Sequence, residues 1–284
     1  MSEAVESEID RVVRASIAAS AIPPQEQETS PPVRWTLKRL VRWVKATFGV
    51  DCCRETLRKT LKALGFSWKK ARKLLNKANS EKRAAFLEQL EPLLEEALAQ
   101  RALLVYIDEA HVHLDTDEGY GWSIKGERFW VSSSSPGRAK VSFYGLYIYD
   151  VAQVRIWPYD KADSDNTCDV VERLQKEFPL MPIKLVWDGA SYHRSAQTLD
   201  KAKALGVDLV PLPGYSPDFM PVEHLWHWMR EDVTYHTCYS TKKHLIEQVN
   251  QFEQQVNQEP LALSQRLWVK TELDPDIEKL RFST

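Results

Sequence analysis

Three carboxylates stand where the chain could do chemistry. Asp108 follows the apolar run Leu103-Leu104-Val105-Tyr106-Ile107, and Asp188 follows Ile183-Lys184-Leu185-Val186-Trp187. Glu223 lies in Tyr215-Ser216-Pro217-Asp218-Phe219-Met220-Pro221-Val222-Glu223-His224-Leu225-Trp226, where a proline-rich loop turns into a helix. Carboxylate oxygens suit Mg²⁺, which takes few protein ligands and keeps waters and substrate phosphate around it. Two ions held this way cleave and rejoin phosphodiesters. A single Asp after an apolar run is most often a strand-end cap, whereas three acids in this order point to a shared cation.

Neighbouring residues are ranked by the same geometry. In a strand, Glu109 should face away from Asp108, which places it behind Asp108 as a ligand. His111, His113, His193, His224 and His227 lie close by, but their spacing matches no zinc motif. Glu109, His193 and His224 are expected to support the ligands rather than bind an ion themselves. Asp160, Asp163, Asp165 and Asp169 read as a solvated loop and helix start.

The elements that must position these acids begin at Ala102. Leu103 to Ile107 reads as a buried strand, while Glu127 to Ser132 and Val141 to Tyr149 are rich in β-branched and aromatic residues. Gln153 to Tyr159 partly alternates, with Asp150-Val151-Ala152 as the hairpin turn before it. A helix (Asn166 to Phe178), a strand (Ile183 to Trp187), a helix (Ser195 to Leu205) and a strand (Val207 to Leu212) follow. Further helices are expected from Val222 and over Thr241 to Val256. Antiparallel strands followed by βαβα units predict an α/β mixed sheet with flanking helices, the order of a ribonuclease H-like fold. Asp108 and Asp188 should then sit at the C-terminal ends of two strands, where sites gather in α/β sheets. Glu223, at a helix start, has its charge favoured by the helix N-terminus.

Upstream, the charge changes sign. Pro31 to Ala85 carries 16 Lys and Arg against 3 Asp and Glu, a net of +13, so the rest of the chain has a net of -15 within a total of -2. A basic block joined to an acidic body suggests a nucleic-acid grip, with a solvated helical face as the bland alternative. Leu37, Leu40, Val41 and Val44 mark a helix from Thr36 to Phe48-Gly49, and Leu57, Leu61 and Leu64 a second over Glu55 to Leu64. The pair predicts a small all-α helix-turn-helix domain with the second helix as reader. Arg54, Arg58, Lys59 and Lys62 lie on its polar face, and Lys69, Lys70, Arg72 and Lys73 extend the positive charge toward a DNA backbone. The expected domains are a short, mobile N-terminal segment and linker (1–32), the helix-turn-helix unit (33–79), a linking helix (80–101) that either joins the two domains or packs on the second, with Pro92 as a point where it can bend, and the catalytic domain (102–284).

Several function classes are set aside by composition. No run of about 18 apolar residues indicates a membrane span, and the acidic Met1-Ser2-Glu3-Ala4-Val5-Glu6 is not a secretory signal. Cys52, Cys53, Cys168 and Cys238 fit neither a zinc site nor a disulfide framework, which suggests reduced thiols in the cytosol.

Four segments together resemble the DDE motifs of Tc/mariner-superfamily transposases, nearest the bacterial insertion-sequence branch. They are Ile107-Asp108-Glu109-Ala110-His111, Gly121-Trp122-Ser123-Ile124-Lys125-Gly126, Trp187-Asp188-Gly189-Ala190-Ser191-Tyr192-His193-Arg194, and the segment from Tyr215 to Trp226. The resemblance covers roughly Thr36 to His236, and the 34 residues between Asp188 and Glu223 fit the family's spacing. It implies that Asp108, Asp188 and Glu223 are the metal ligands, with two Mg²⁺ or Mn²⁺ ions. It also implies cleavage of double-stranded DNA at inverted repeats, joining of the 3′ ends to a TA target, a homodimer on DNA, and a bacterial cytoplasmic, nucleoid-associated setting. Two departures stand out: Phe219-Met220 replaces the usual Leu-Asn, and only the second of two helix-turn-helix units is expected intact. A DNA-binding repressor without cleavage, or another ribonuclease H-like endonuclease, are the rival readings.

Overall fold

The computed structural model of the chain describes residues 2–21, 33–69, 78–133, 139–275 and 278. The chain divides into two compact units, Met1–Asn76 with Pro275–Thr284, and Lys77–Asp274.

The first unit is helical, with α1 (Glu3–Ala21), α2 (Leu37–Phe48) and α3 (Arg54–Ala63). Thr36 caps α2 by accepting from the Arg39 amide, and Gly49 closes it in the left-handed region at φ 67, where glycine carries no Cβ penalty. Val5 and Ile9 of α1 join Leu40, Val44 and Leu57 in one buried cluster. The N-terminal stretch expected to be a mobile appendage therefore contains a helix with a place in this core. Its apolar side has the i, i+4 spacing that needs a partner, and α2 and α3 supply one. Ser16 further bonds the Val33 carbonyl, and the Trp35 indole donates to the Val12 carbonyl at 3.3 Å. The linker residues Pro23 to Pro32 lie outside the described residues.

The second unit is built on a sheet ordered β3-β2-β1-β4-β5. Its strands are β1 (Leu103–His113), β2 (Lys140–Ile148), β3 (Gln153–Tyr159), β4 (Ile183–Trp187) and β5 (Val207–Pro211). β1, β2 and β3 pair antiparallel, while β4 and β5 continue parallel to β1. Leu104, Tyr106, Ala110 and Val112 point to one core, where α4 (Ser80–Leu98), α7 (Val222–Met229) and α8 (Lys242–Val256) pack. Leu103, Val105 and Ile107 point to the other core, beneath α5 (Ser164–Glu177) and α6 (Ala196–Ala204). A short α9 (Pro260–Arg266) completes the first face. With both faces covered, β1 reads as a continuous apolar run rather than an alternating one.

Of the two places expected for the helix over 80–101, α4 takes the second: it packs on the second unit, burying Phe86, Leu90 and Ala97 there, and holds Pro92 within its span. Two expectations are corrected. Glu127 to Ser132 forms no strand. Its aromatics do not enter a core: Phe129 is 47% exposed, edge-on to His236, and Trp130 is 76% exposed. Finally, β1 does not stop at Ile107 but reaches His113, because β2 goes on pairing with it as far as His113↔Lys140.

Candidate active site

The long β1 changes where Asp108 sits. It is a mid-strand residue opposite Gly145 of β2, not a strand-terminal one. What ends nearby is the parallel partner: β4 stops at Trp187, and the last paired rung is Tyr106↔Val186. Asp108 therefore lies just past the parallel pairing, and Asp188 is the first residue beyond β4. Asp108 shares the face of β1 that packs on α7, while Glu109 turns to the opposite face.

Glu223 is in the first turn of α7. That helix buries Val222, Leu225, Trp226 and Met229, spaced i, i+3, i+4 and i+7, and so its orientation is fixed by one apolar stripe. Trp226 is the side chain that ties helix to strand. Its indole N–H donates to Asp108 Oδ2 at 3.0 Å. The close approach depends on Gly145, where an added Cβ would lie 2.5 Å from Trp226 Cζ2 and 3.1 Å from Val222 Cγ1.

Asp108, Asp188 and Glu223 line one cleft of about 590 Å³. Burial, then the charges of Glu223 and Glu109, pushes the Asp108 carboxyl up to about 7. A cation beside such a carboxylate would favour its charged form. Hard oxygen donors around an open cleft, with room for water and phosphate, fit Mg²⁺ or Mn²⁺. Among the described residues, no three His, Cys, Asp or Glu side chains are gathered tightly enough to hold an ion as they stand. The three acids share a cleft without closing on one point.

Asp188 is engaged elsewhere. Its Oδ1 accepts from the Ala190 amide at 2.9 Å and from His193 Nδ1 at 2.8 Å. The other ring nitrogen of His193 faces Glu109 Oε1 at 3.0 Å, and Tyr192 donates to Glu109 Oε2 at 2.9 Å. His193 is fully buried and stacks on Trp187 at 4.7 Å. Burial alone would lower its pKa, but hydrogen bonds to Asp188 and Glu109 overcome this and raise it to about 9. With a carboxylate at each nitrogen, the ring is an imidazolium donating both ways. The same bond holds Asp188 below the usual carboxylate range. His224, by contrast, turns its ring toward Trp268 at 5.8 Å and does not line the cleft.

The loop that delivers Glu223 is clamped from behind. Arg83, fully buried on α4, donates to Asp218 at 3.1 and 2.9 Å, and Lys270 donates to the same carboxylate at 2.8 Å. The Arg83 guanidinium also lies 4.4 Å over the Phe219 ring. Burial would raise the Asp218 carboxyl, but its bonds to Arg83 and Lys270 outweigh that and hold it well below the usual range. Met220, in place of the Asn expected there, is buried at 4% exposure and helps line the cleft. Sequence reasoning passed over Trp226, Gly145 and Arg83. Trp226 lies three residues after Glu223 on the same helix, and Gly145 interrupts an otherwise bulky strand; both are readable signals. Nothing local marks Arg83, whose partner is 135 residues away.

In the first unit, Arg54, Arg58, Lys59, Lys62 and Lys69 are all exposed. Arg58 forms a two-pronged pair with Glu55 at 2.8 and 2.6 Å. Lys70, Arg72 and Lys73 lie outside the described residues. Among the described residues no helix is long and apolar enough to cross a membrane.

The comparisons follow this division. A family described as DDE superfamily endonuclease matches residues 103–246, and one described as winged helix-turn helix matches residues 31–90. An insertion element IS630 uncharacterized 39 kDa protein of Shigella sonnei is 24% identical over 233 residues, which are 80% of this chain and 66% of that protein. The chain thus spans just under two thirds of the length of that relative. The Mos1 transposase paired-end complex with left transposon end aligns with a TM-score of 0.60 at 16% identity, covering 91% of this chain and 81% of that one. The Mos1 mariner paired-end complex with Mn aligns at 0.55, with 16% identity and 85% and 79% coverage. This likeness fits the sheet order and shows a ribonuclease H-like fold.

Proposed function

Because the chain belongs to the DDE superfamily of endonucleases, we propose that it is a DNA transposase whose catalytic carboxylates are Asp108, Asp188 and Glu223. The observation that carries this reading is that one cleft is lined by all three, although they come from a mid-strand position, a strand end and a helix start. The IS630 relative and the transposon-end and Mn complexes of Mos1 support it.

In this reading α3 docks in the DNA major groove, with Arg54, Lys59 and Lys62 toward bases and phosphates. The DNA end enters the cleft of the second unit. Asp108 and Asp188 would hold two Mg²⁺ or Mn²⁺ ions from the sheet, and Glu223 would complete the set from α7. When bound, such ions supply a nucleophilic oxygen at neutral pH and stabilise the leaving one. Trp226 fixes the Asp108 carboxylate and His193 orients Asp188, which would present their oxygens to a bound cation. The two strand ends are cut at inverted repeats, the freed 3′ ends are joined to a TA target, and two copies act together on paired ends. The setting is the bacterial cytoplasm, at the nucleoid.

The test is cleavage and strand transfer by the full chain on DNA carrying the inverted repeats that flank its own gene, with a TA-containing target. Cut ends and joined products in Mg²⁺ or Mn²⁺, and none in EDTA, are expected. DNA binding with no cutting in either metal would favour the repressor reading. Cutting of branched DNA without joining would favour a resolvase-like endonuclease.

A further inference from the structure

The cleft has two arms. Asp108 and Glu223 line both the 590 Å³ arm toward Asp188 and a second arm of about 430 Å³ toward His227. Each arm carries one arginine, Arg194 beside Asp188 and Arg230 just beyond α7.

These arginines differ from most others in the second unit. Arg83, Arg155 and Arg266 are ion-paired. Arg128 and Arg173 lie over tryptophan rings. Among the described residues of this unit, that leaves Arg101, Arg194 and Arg230 as the arginines whose guanidinium has no hydrogen bond, ion pair or ring contact. Two of these three face the carboxylate cleft. Arg230 also opens a π-helical turn, Arg230–Thr234, a distortion frequent at functional sites. A strand laid across three carboxylates meets repulsion, and a positive fork on each side offsets it. Guanidinium suits phosphate because it offers parallel donors and stays charged.

We propose that Arg194 and Arg230 are phosphate-binding residues that grip the DNA backbone on either side of the scissile phosphate. The strand then runs from one arm to the other over Asp108 and Glu223. This rests on the reading of the cleft as a DNA-cutting site. The arginines, unlike the carboxylates, act on binding in the absence of divalent metal.

The test compares Arg194→Ala, Arg230→Ala and the double variant of the full chain with Arg101→Ala, an unpaired arginine away from the cleft. Equilibrium binding to a mixed-sequence DNA duplex is measured across a salt series without divalent metal. Each cleft variant should lower the slope of log Kd against log salt by about one, and the double variant by about two. Arg101→Ala should leave it unchanged. Arg194→Lys and Arg230→Lys should keep the slope while losing about ten-fold in kcat/KM. Slopes for both cleft variants equal to that of Arg101→Ala would overturn the proposal. Lowered slopes in the cleft variants with no cleavage by the parent chain in Mg²⁺ or Mn²⁺ would instead sink the transposase reading and leave the arginines as phosphate contacts.

Discussion

Trp226 donates its indole N–H to Asp108 at 3.0 Å, joining the helix that carries Glu223 to the strand that carries the first carboxylate. The contact exists because Gly145, paired opposite Asp108, leaves room for the ring. A backbone position in β2 thus sets the spacing of two acids on other elements.

Gly145→Ala should therefore disturb the site from a distance. The new Cβ would meet two buried ring atoms at 2.5 and 2.6 Å, and the ring belongs to a packed core, not a flexible tip. A loss of about 1–3 kcal/mol in stability and a marked drop in metal-dependent cleavage are expected. Urea unfolding and cleavage assays check this; full activity with an unchanged midpoint would mean that Trp226 moves without consequence.

Burial and its acidic neighbours make an ionised Asp108 costly in metal-free protein. Its carboxyl is pushed up to about 7, so ionised Asp108 destabilises the folded state above that pH. Asp108→Asn should stabilise the metal-free protein by about 2–4 kcal/mol at pH 8. The gain should fade as pH falls from about 7 toward the ordinary carboxylate range of about 4. Thermal unfolding in EDTA at pH 8 and pH 5 measures both. Equal midpoints for the two proteins at pH 8 would contradict this account.

How much of this was legible in sequence depends on the range of the signal. The mixed sheet and four of its strands follow from apolar runs and turn residues: Gln153–Tyr159 and Ile183–Trp187 were read to the residue, and β2 and β5 to within one. The order of strands within the sheet carries no local signal. The extension of β1 to His113 was missed because Glu109, His111 and His113 are polar; pairing with β2, not local composition, keeps them in the strand. The three acids singled out in the sequence all line one cleft. The contact of His193 with both Glu109 and Asp188 needs the third dimension, as does the Arg83–Asp218 clamp. His224 looked like a supporting residue only because it adjoins Glu223, and one step along a helix turns a side chain by about 100°.

The Arg83–Asp218–Lys270 cluster should tie stability to acid. Asp218 is held low by its cationic partners, so its contribution is fully present above about pH 4 and is lost as pH falls through its depressed folded value. Asp218→Asn should flatten the acid limb of the stability curve. Arg83→Met leaves Asp218 half-buried with one partner fewer, and should cost about 3–5 kcal/mol. Chemical unfolding between pH 7 and pH 3 reads both effects; an acid limb identical in Asp218→Asn and the parent would refute them.

On α3, Glu55 neutralises Arg58 in the unbound unit. The pair is exposed and contributes little to stability, so Glu55→Gln should free the guanidinium and tighten DNA binding by a few-fold. Lys59→Ala should weaken binding and lower its salt slope by about one. Fluorescence anisotropy over a salt series checks both. Weaker binding by Glu55→Gln would show that the acid makes a contact of its own.

The most direct test of the three-carboxylate site is metal-dependent cleavage of end-bearing DNA by Asp108→Ala, Asp188→Ala and Glu223→Ala, alongside DNA binding by the same proteins. Each variant should bind DNA about as tightly as the parent chain and cut none of it in Mg²⁺ or Mn²⁺. Full cleavage by any one of the three would contradict the assignment of that residue and the shared-cation site with it.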